Sequence, residues 1–287
     1  MRSLIRFELR KLFQAKVLYI CAVVIVFLIF LFAGINKLEE AAMAAAYEMY
    51  MSPGMDEVMP DPDGIYIDDE DVPSDFLDIM GMVQKSSGAA LLLKALVNVY
   101  VIVVFAAFVA VFVCGDFGNG VIKNIITKGY TRTEVYFSKY LVCLMVCIGY
   151  AILAMLAGLI AGTVFWDIGS SWSFRSVLLI LAELFAVAAY NALFCFLAAL
   201  FKRVGPALAF SIAIPIILPT VLSLIELIAG DMDLSLSDHW ISGCINLVSS
   251  PQASGGDIAM SFIASAVYIV IFTLCIDSSN CNLSSSV

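Results

Sequence analysis

The sequence predicts an all-α integral membrane protein with six transmembrane helices. Three observations carry that prediction. First, 62% of the 287 residues are hydrophobic, mean hydropathy is +1.01, and charged residues are only 14%, against about 25% in soluble domains. Second, six apolar runs, roughly 17–35, 89–114, 140–165, 177–200, 204–229 and 258–276, each approach or exceed the ~20 residues that carry a helix across a hydrocarbon core. Third, positive charge is segregated by loop. With the N-terminus inside, the inner segments hold Arg2, Arg6, Arg10, Lys11, Lys16, Lys123, Lys128, Arg132, Lys139, Lys202 and Arg203, and the outer ones only Lys37, Lys85 and Arg175. Lys94 lies near the outer end of the second run, where it can snorkel outward. The asymmetry predicts a multi-pass protein of the cell membrane with both termini cytoplasmic. The net charge of −9 therefore has no single-surface meaning, and no basic patch for nucleic acid exists.

Residues 1–16 precede the first run. Leu4, Ile5, Leu9, Leu12 and Phe13 recur at helical spacing among five Lys/Arg, which predicts an amphipathic helix on the inner membrane face. The competing reading is the basic start of a signal peptide, with Ala42–Met43–Ala44 as a small-x-small site. The run that follows is longer than the ~7–15 residues such a segment uses.

The segment 36–88 is outer and acidic, with thirteen Asp/Glu against Lys37 and Lys85. Glu39–Met51 is rich in Ala, Met and Glu and reads as helix; Pro53–Asp78 is punctuated as loop. The stretch from Asp61 to Asp71 raises the question of calcium, but its Gly64 falls at the fourth position where an EF-hand loop needs the sixth. A solvated acidic loop is the default. In the third run Ala154, Gly158 and Gly162 stand in small-xxx-small register, which admits close packing by another helix of this chain or of a second copy. The fourth run contains Glu183 and Asn191. The fifth contains Pro215 and Pro219, which predict a kink, and Glu226 near its outer end. The outer segment 230–257 has no Lys or Arg and predicts short helices dipping toward the membrane; its His239 is the sole histidine.

Between the second and third runs lies CGDFGNGVIKNIITKGYTRTEVYFSKY, residues 114–140. Val121, Ile122, Ile125 and Ile126 fall mostly on one helix face, with Lys123, Asn124, Thr127 and Lys128 on the other. Gly129 suits a C-terminal cap. Thr131 and Glu134 have capping-box spacing, so the next helix is expected to begin at Arg132. Such an element either docks a cytosolic partner or lies passively among headgroups.

This stretch resembles the loop between the first two hairpins of ABC-2 type transporter permeases, in which an acidic residue is followed by Asn-Gly-Thr-Ile-Lys-Asn, then Thr/Ser-Arg-Thr and a Ser-Lys pair. Asp116, Asn119, Gly120, Ile122, Lys123, Asn124, Thr131, Arg132, Thr133, Ser138 and Lys139 match; Asp116 stands where Glu is usual and Val121 where Thr is usual. The compact six-span form looks most like Gram-positive peptide-export and self-immunity members, such as exporter permeases for phenol-soluble modulins. The tail DSSNCNLSSSV departs from the family in lacking basic residues.

The resemblance implies a permease that pairs with a second copy of itself and with two ABC ATPase subunits. ATP and Mg would be bound by the ATPase and no cofactor by this chain. Asp116, Asn119, Gly120, Ile122, Lys123, Asn124, Ile125, Ile126, Lys128 and Arg132 would form the coupling region, and amphipathic peptides would be exported. Glu183, Asn191, Pro215 and Pro219 are the candidates for the transport path. No Walker-type Gly-x-x-x-x-Gly-Lys-Ser/Thr motif and no HExxH occurs, so no enzyme activity is expected of this chain. Two alternatives stand beside this reading. One is a secondary transporter with Glu183 as a proton or ion site, although no inverted repeat is evident. The other is a non-transporting membrane sensor with an acidic outer loop.

Overall fold

The structure is a computed structural model that describes residues 2–50, 88–118, 121, 125, 127–166, 174–229, 236–249 and 253–282. Every regular element among the described residues is a helix. Ten such segments run in order: α1 (Arg2–Gln14), α2 (Lys16–Tyr50), α3 (Gly88–Lys94), α4 (Val99–Gly118), α5 (Arg132–Phe165), α6 (Phe174–Phe201), α7 (Val204–Ala229), α8 (Leu236–His239), α9 (Ile241–Val248) and α10 (Gly255–Asn282). Six of them are long and apolar enough to cross a membrane: α2, α4, α5, α6, α7 and α10.

The middle of the bundle is α4, α5 and α6, the spans with the most buried surface; α2, α7 and α10 lie at its edges. The core is continuous across them through Phe105, Phe108, Val142, Cys147, Ala189 and Phe194. Around it, α7 presents Ile216, Ile217, Leu224 and Ile228, and α10 presents Ile263, Val267 and Leu274, to the outside. An outward apolar surface is what a lipid-facing helix needs.

Two boundaries differ from the sequence reading. The run 89–114, expected as one span, is divided into α3 and α4. The break has a chemical cause: the Asn98 side-chain Oδ1 accepts the Tyr100 amide at 3.0 Å and its carbonyl accepts Val101 N at 3.0 Å. Asn98 thus starts a new helix as its N-cap. The second difference is α2, which continues from the first span through Glu39–Tyr50 as one helix of 35 residues. Lys37 pairs with Glu40 at 3.1 Å, and Trp166 Nε1 donates to Glu40, tying this extension to the end of α5. The stretch around Asp61–Asp71 lies outside the described residues.

Other expectations held. The α5 helix starts at Arg132 with the full capping box: Glu134 N donates to Thr131 Oγ1 at 3.2 Å, and Thr131 N to Glu134 Oε2 at 3.0 Å. Gly129 has φ 91°, the left-handed conformation that glycine adopts without strain. The small stripe on α5 is used within the chain. A Cβ added at Gly158 would stand 2.7 Å from the Leu91 carbonyl oxygen, so α3 lies against α5 at a spacing that glycine alone permits.

Candidate functional site

Four charged side chains meet where the chain leaves α4 and enters α5, under the N-terminal helix. Their positions follow from helix geometry. On α1 the residues Leu4, Glu8 and Leu12 recur every four positions and are buried, whereas Arg6, Phe7, Arg10 and Phe13 on the other side are exposed. Leu12 packs into the main core, and Leu4 into a small cluster with Ile125 and Val135. Glu8, between them, is carried inside. Asp116 stands in the last turn of α4 and Lys139 in the second turn of α5.

Glu8, Asp116 and Lys139 are 0%, 1% and 1% exposed. Lys139 Nζ donates to Glu8 Oε1 at 2.9 Å and to Asp116 Oδ2, while Lys11 Nζ donates to Asp116 Oδ1. The two ammonium groups lie 5.6 and 5.5 Å from the centre of the Phe112 ring, whose negative face adds to their stabilisation. Two carboxylates and two ammoniums balance. That balance matters because burying an ion without its counterion costs several kcal/mol. Burial and the neighbouring Lys139 ammonium push the Lys11 pKa down, and Glu8 opposes them. Lys11 is also the member with a partly exposed side chain.

Asp116, expected in the coupling region, is enclosed by its own chain. Lys139, one of the residues that carry the resemblance, is spent on Glu8 and Asp116. Ile125 also faces inward, against Leu4 and Val135, so its apolar surface joins the loop to α1 and α5. Ser3 Oγ and Tyr130 Oη, 2.9 Å apart, add a polar contact at the same seam. Of the remaining coupling candidates, Lys128 is exposed in the turn after Ile125, and Arg132 opens α5. Asn119, Gly120, Ile122, Lys123, Asn124 and Ile126 lie outside the described residues.

The cluster was missed in the sequence because Glu8 sits on the inward face of a helix whose cationic pattern drew attention to its outward one. The available signal was the acid itself, one Glu placed four residues from each of two leucines on an otherwise basic helix.

The transport-path candidates lie on two adjoining helices, α6 and α7. Glu183 lies nine residues along α6, about 14 Å from its start. It is 0% exposed and neither carboxyl oxygen has a hydrogen-bond partner among the described residues. Arg175, eight residues before it on the same helix, is exposed. Asn191 faces α5, where its Oδ1 is 3.7 Å from Cys147 Sγ and 3.8 Å from Cys195 Sγ, and its Nδ2 is unpartnered among the described residues. Pro215, which is buried, and Pro219, which is half-buried, lie within α7.

The segment after α7 folds as expected into short helices. The Glu226 carboxylate receives Ser237 N at 2.6 Å and Ser237 Oγ at 2.8 Å, which anchors α8 to α7. Trp240, the residue before α9, meets the Tyr268 ring edge-on at 5.2 Å. Tyr268 is thirteen residues into α10, about 20 Å along it, so α9 begins deep in the bundle.

Compared with curated proteins, the chain has no match. A family model described as a protein of unknown function (DUF2705) matches residues 62–278, a region that takes in Asp116, Lys139 and Glu183 and leaves Glu8 and Lys11 before it. Since that match spans well over half of the chain, this protein belongs to the DUF2705 family.

Proposed function

We propose that this chain is the membrane-spanning permease subunit of an ATP-driven ABC exporter, working as a pair of copies with two ATPase subunits and moving amphipathic peptides out of the cell. The observation that carries the reading is the stretch from Asp116 to Lys139. It resembles the ABC-2 coupling loop residue by residue and joins two of six apolar spans. In this reading both termini are cytoplasmic, α1 is an interfacial helix, and the membrane is the plasma membrane.

The buried charges then have a mechanical part. A force applied to the loop between α4 and α5 is passed to both spans and to α1 together, because Asp116, Lys139 and Glu8 bind the three elements to one another. Contact with the ATPase falls to the outward residues, Lys128 and, from the sequence pattern, Lys123. ATP and Mg stay with the partner.

The test is co-purification of the full-length chain with candidate ABC ATPases from the same genome, followed by ATP hydrolysis with and without cationic amphipathic peptides. The expected results are a stable complex and peptide-stimulated hydrolysis. Charge reversal at Lys123 and Lys128 is expected to weaken the complex more at low salt than at high salt. Unchanged ATPase binding by that variant at low salt would remove the docking role of the loop.

A further inference from the structure

An interfacial helix lays its leucine stripe into lipid, but here the protein itself has taken that stripe. Leu4 and Leu12 are buried in the bundle, with Glu8 between them. The opposite side of α1 carries Arg6, Phe7, Arg10 and Phe13, all exposed, the two rings by 51% and 63%. At 3.6 residues per turn these four fall within an arc of about 120°. No acid lies on that arc, since Glu8 is the only acid of α1. Arg6 and Arg10 form no ion pair among the described residues.

Contacts with α5 fix the depth of this face. Leu4 shares a cluster with Val135, Glu8 accepts from Lys139 Nζ at 2.9 Å, and the Leu18 carbonyl accepts the Tyr150 hydroxyl at 2.8 Å. Each step along α1 and into α2 is matched, to within one residue, by a step along α5. The two therefore run side by side in the same direction and change depth together. Lys139 is the last charged residue of α5 before the uncharged run 140–165, and Glu8 is level with it. Arg6 and Arg10 lie two residues to either side of Glu8 and span about 6 Å along the axis. A headgroup layer is about 5–8 Å deep on each side of the hydrocarbon. The two guanidinium groups are thus carried at headgroup depth. Phe13, three residues beyond Arg10, stands about 4–5 Å nearer the hydrocarbon. Tyr19 Oη donates to the Phe13 carbonyl at 3.2 Å, which ties the end of α1 to the first turn of α2. Lys16, exposed at the start of α2, adds a third cation.

The chemistry of the arc selects among lipids. A guanidinium presents paired donors that match phosphate oxygens. A zwitterionic lipid sets its own ammonium beside its phosphate, whereas an anionic lipid leaves the phosphate uncompensated. Exposed rings are costly in water and are accommodated against acyl carbons. A cytosolic protein would meet an acidic surface below the headgroups and would leave a ring at the depth of Phe13 uncovered.

We propose that the outward face of α1 binds the headgroups of anionic phospholipids, with Arg6 and Arg10 on the phosphates, Phe7 beside them and Phe13 against the upper acyl carbons. This rests on α1 lying at the membrane face, as in the reading above, and needs neither the ATPase nor a transported peptide.

The test reconstitutes the full-length chain carrying Phe13→Trp in vesicles of phosphatidylcholine and phosphatidylglycerol, with bromine on the acyl chains of one lipid or of the other. The parent chain, measured alongside, gives the contribution of Trp166, Trp172 and Trp240. Bromine quenches indole only at short range, so the two sets of vesicles yield the ratio of the two lipids around position 13. The ratio is expected to favour phosphatidylglycerol over its share of the bulk mixture. In the Arg6→Gln/Arg10→Gln background the preference should fall, by up to about five-fold for each arginine. All three substituted side chains are exposed, and an unchanged size-exclusion profile confirms that the fold is kept. No quenching beyond that of the parent would place this face in water or against protein and overturns the proposal. A ratio equal to that of the bulk, or one that the double substitution leaves unchanged, overturns it as well. Each of these outcomes leaves ATPase binding, the test of the exporter reading, untouched.

Discussion

Asp116 and Glu183 are both carboxylates enclosed in an apolar bundle, and the chain treats them in opposite ways. Asp116 receives two lysines from two other helices, and Lys139 also serves Glu8. Glu183 receives no hydrogen bond from any described residue. Equal burial therefore says little about role; the partners decide. A charge-balanced buried cluster resists rearrangement because breaking it strands an ion, even though one oxygen of Glu8 has no hydrogen-bond partner among the described residues. An unpaired carboxyl group is costly to fold around, and that cost is characteristic of residues kept for a ligand rather than for stability.

The comparison can be broken or sharpened by substitution, and the largest effect belongs to the central cation. Lys139→Met leaves Glu8 and Asp116 buried together without their shared ammonium. It is expected to cost about 3–5 kcal/mol, read from unfolding of the detergent-solubilised protein. Neutralising the three enclosed members in Glu8→Gln/Asp116→Asn/Lys139→Met, which leaves the partly exposed Lys11 to turn to solvent, should recover much of that loss. A triple variant as unstable as the single one would mean that shape, not charge balance, holds the seam.

Asp116→Asn comes next, at about 2–3 kcal/mol, because it leaves two ammoniums facing each other but one of them, Lys11, can turn to solvent. Lys11→Met should be milder, about 1 kcal/mol or less. Lys139 still satisfies Asp116, and a partly exposed ion pair is screened. A ranking of Lys11 above Lys139 in the same assay would reverse the assignment of the central cation.

Glu183→Gln is expected to change stability least, by under about 1 kcal/mol in either direction, since no ion pair is lost and the shape is kept. A loss as large as that for Asp116→Asn would show that Glu183 is paired in the membrane after all, and the contrast between the two carboxylates would vanish.

Much of the architecture was legible in the sequence because the bilayer reduces folding to length and hydropathy. Spans must be helical and about 20 residues long, so six apolar runs gave the long helices directly. Local chemistry gave Gly129 and the Thr131–Glu134 cap, since both act within one turn of chain. The break at Asn98 was also local, but an asparagine inside a leucine- and valine-rich run is overshadowed by the hydropathy around it. What tertiary structure alone decided was pairing at a distance. Glu8 and Lys139 are 131 residues apart, Lys11 and Asp116 are 105, and no periodicity along the chain announces which acid will meet which base. The sequence likewise marked Glu183 as an unusual acid in an apolar span, whereas its lack of a partner is a property of five neighbouring helices. Hydropathy is additive along a chain and can be read from it, while electrostatic compensation depends on separations of a few ångströms, and only packing sets those.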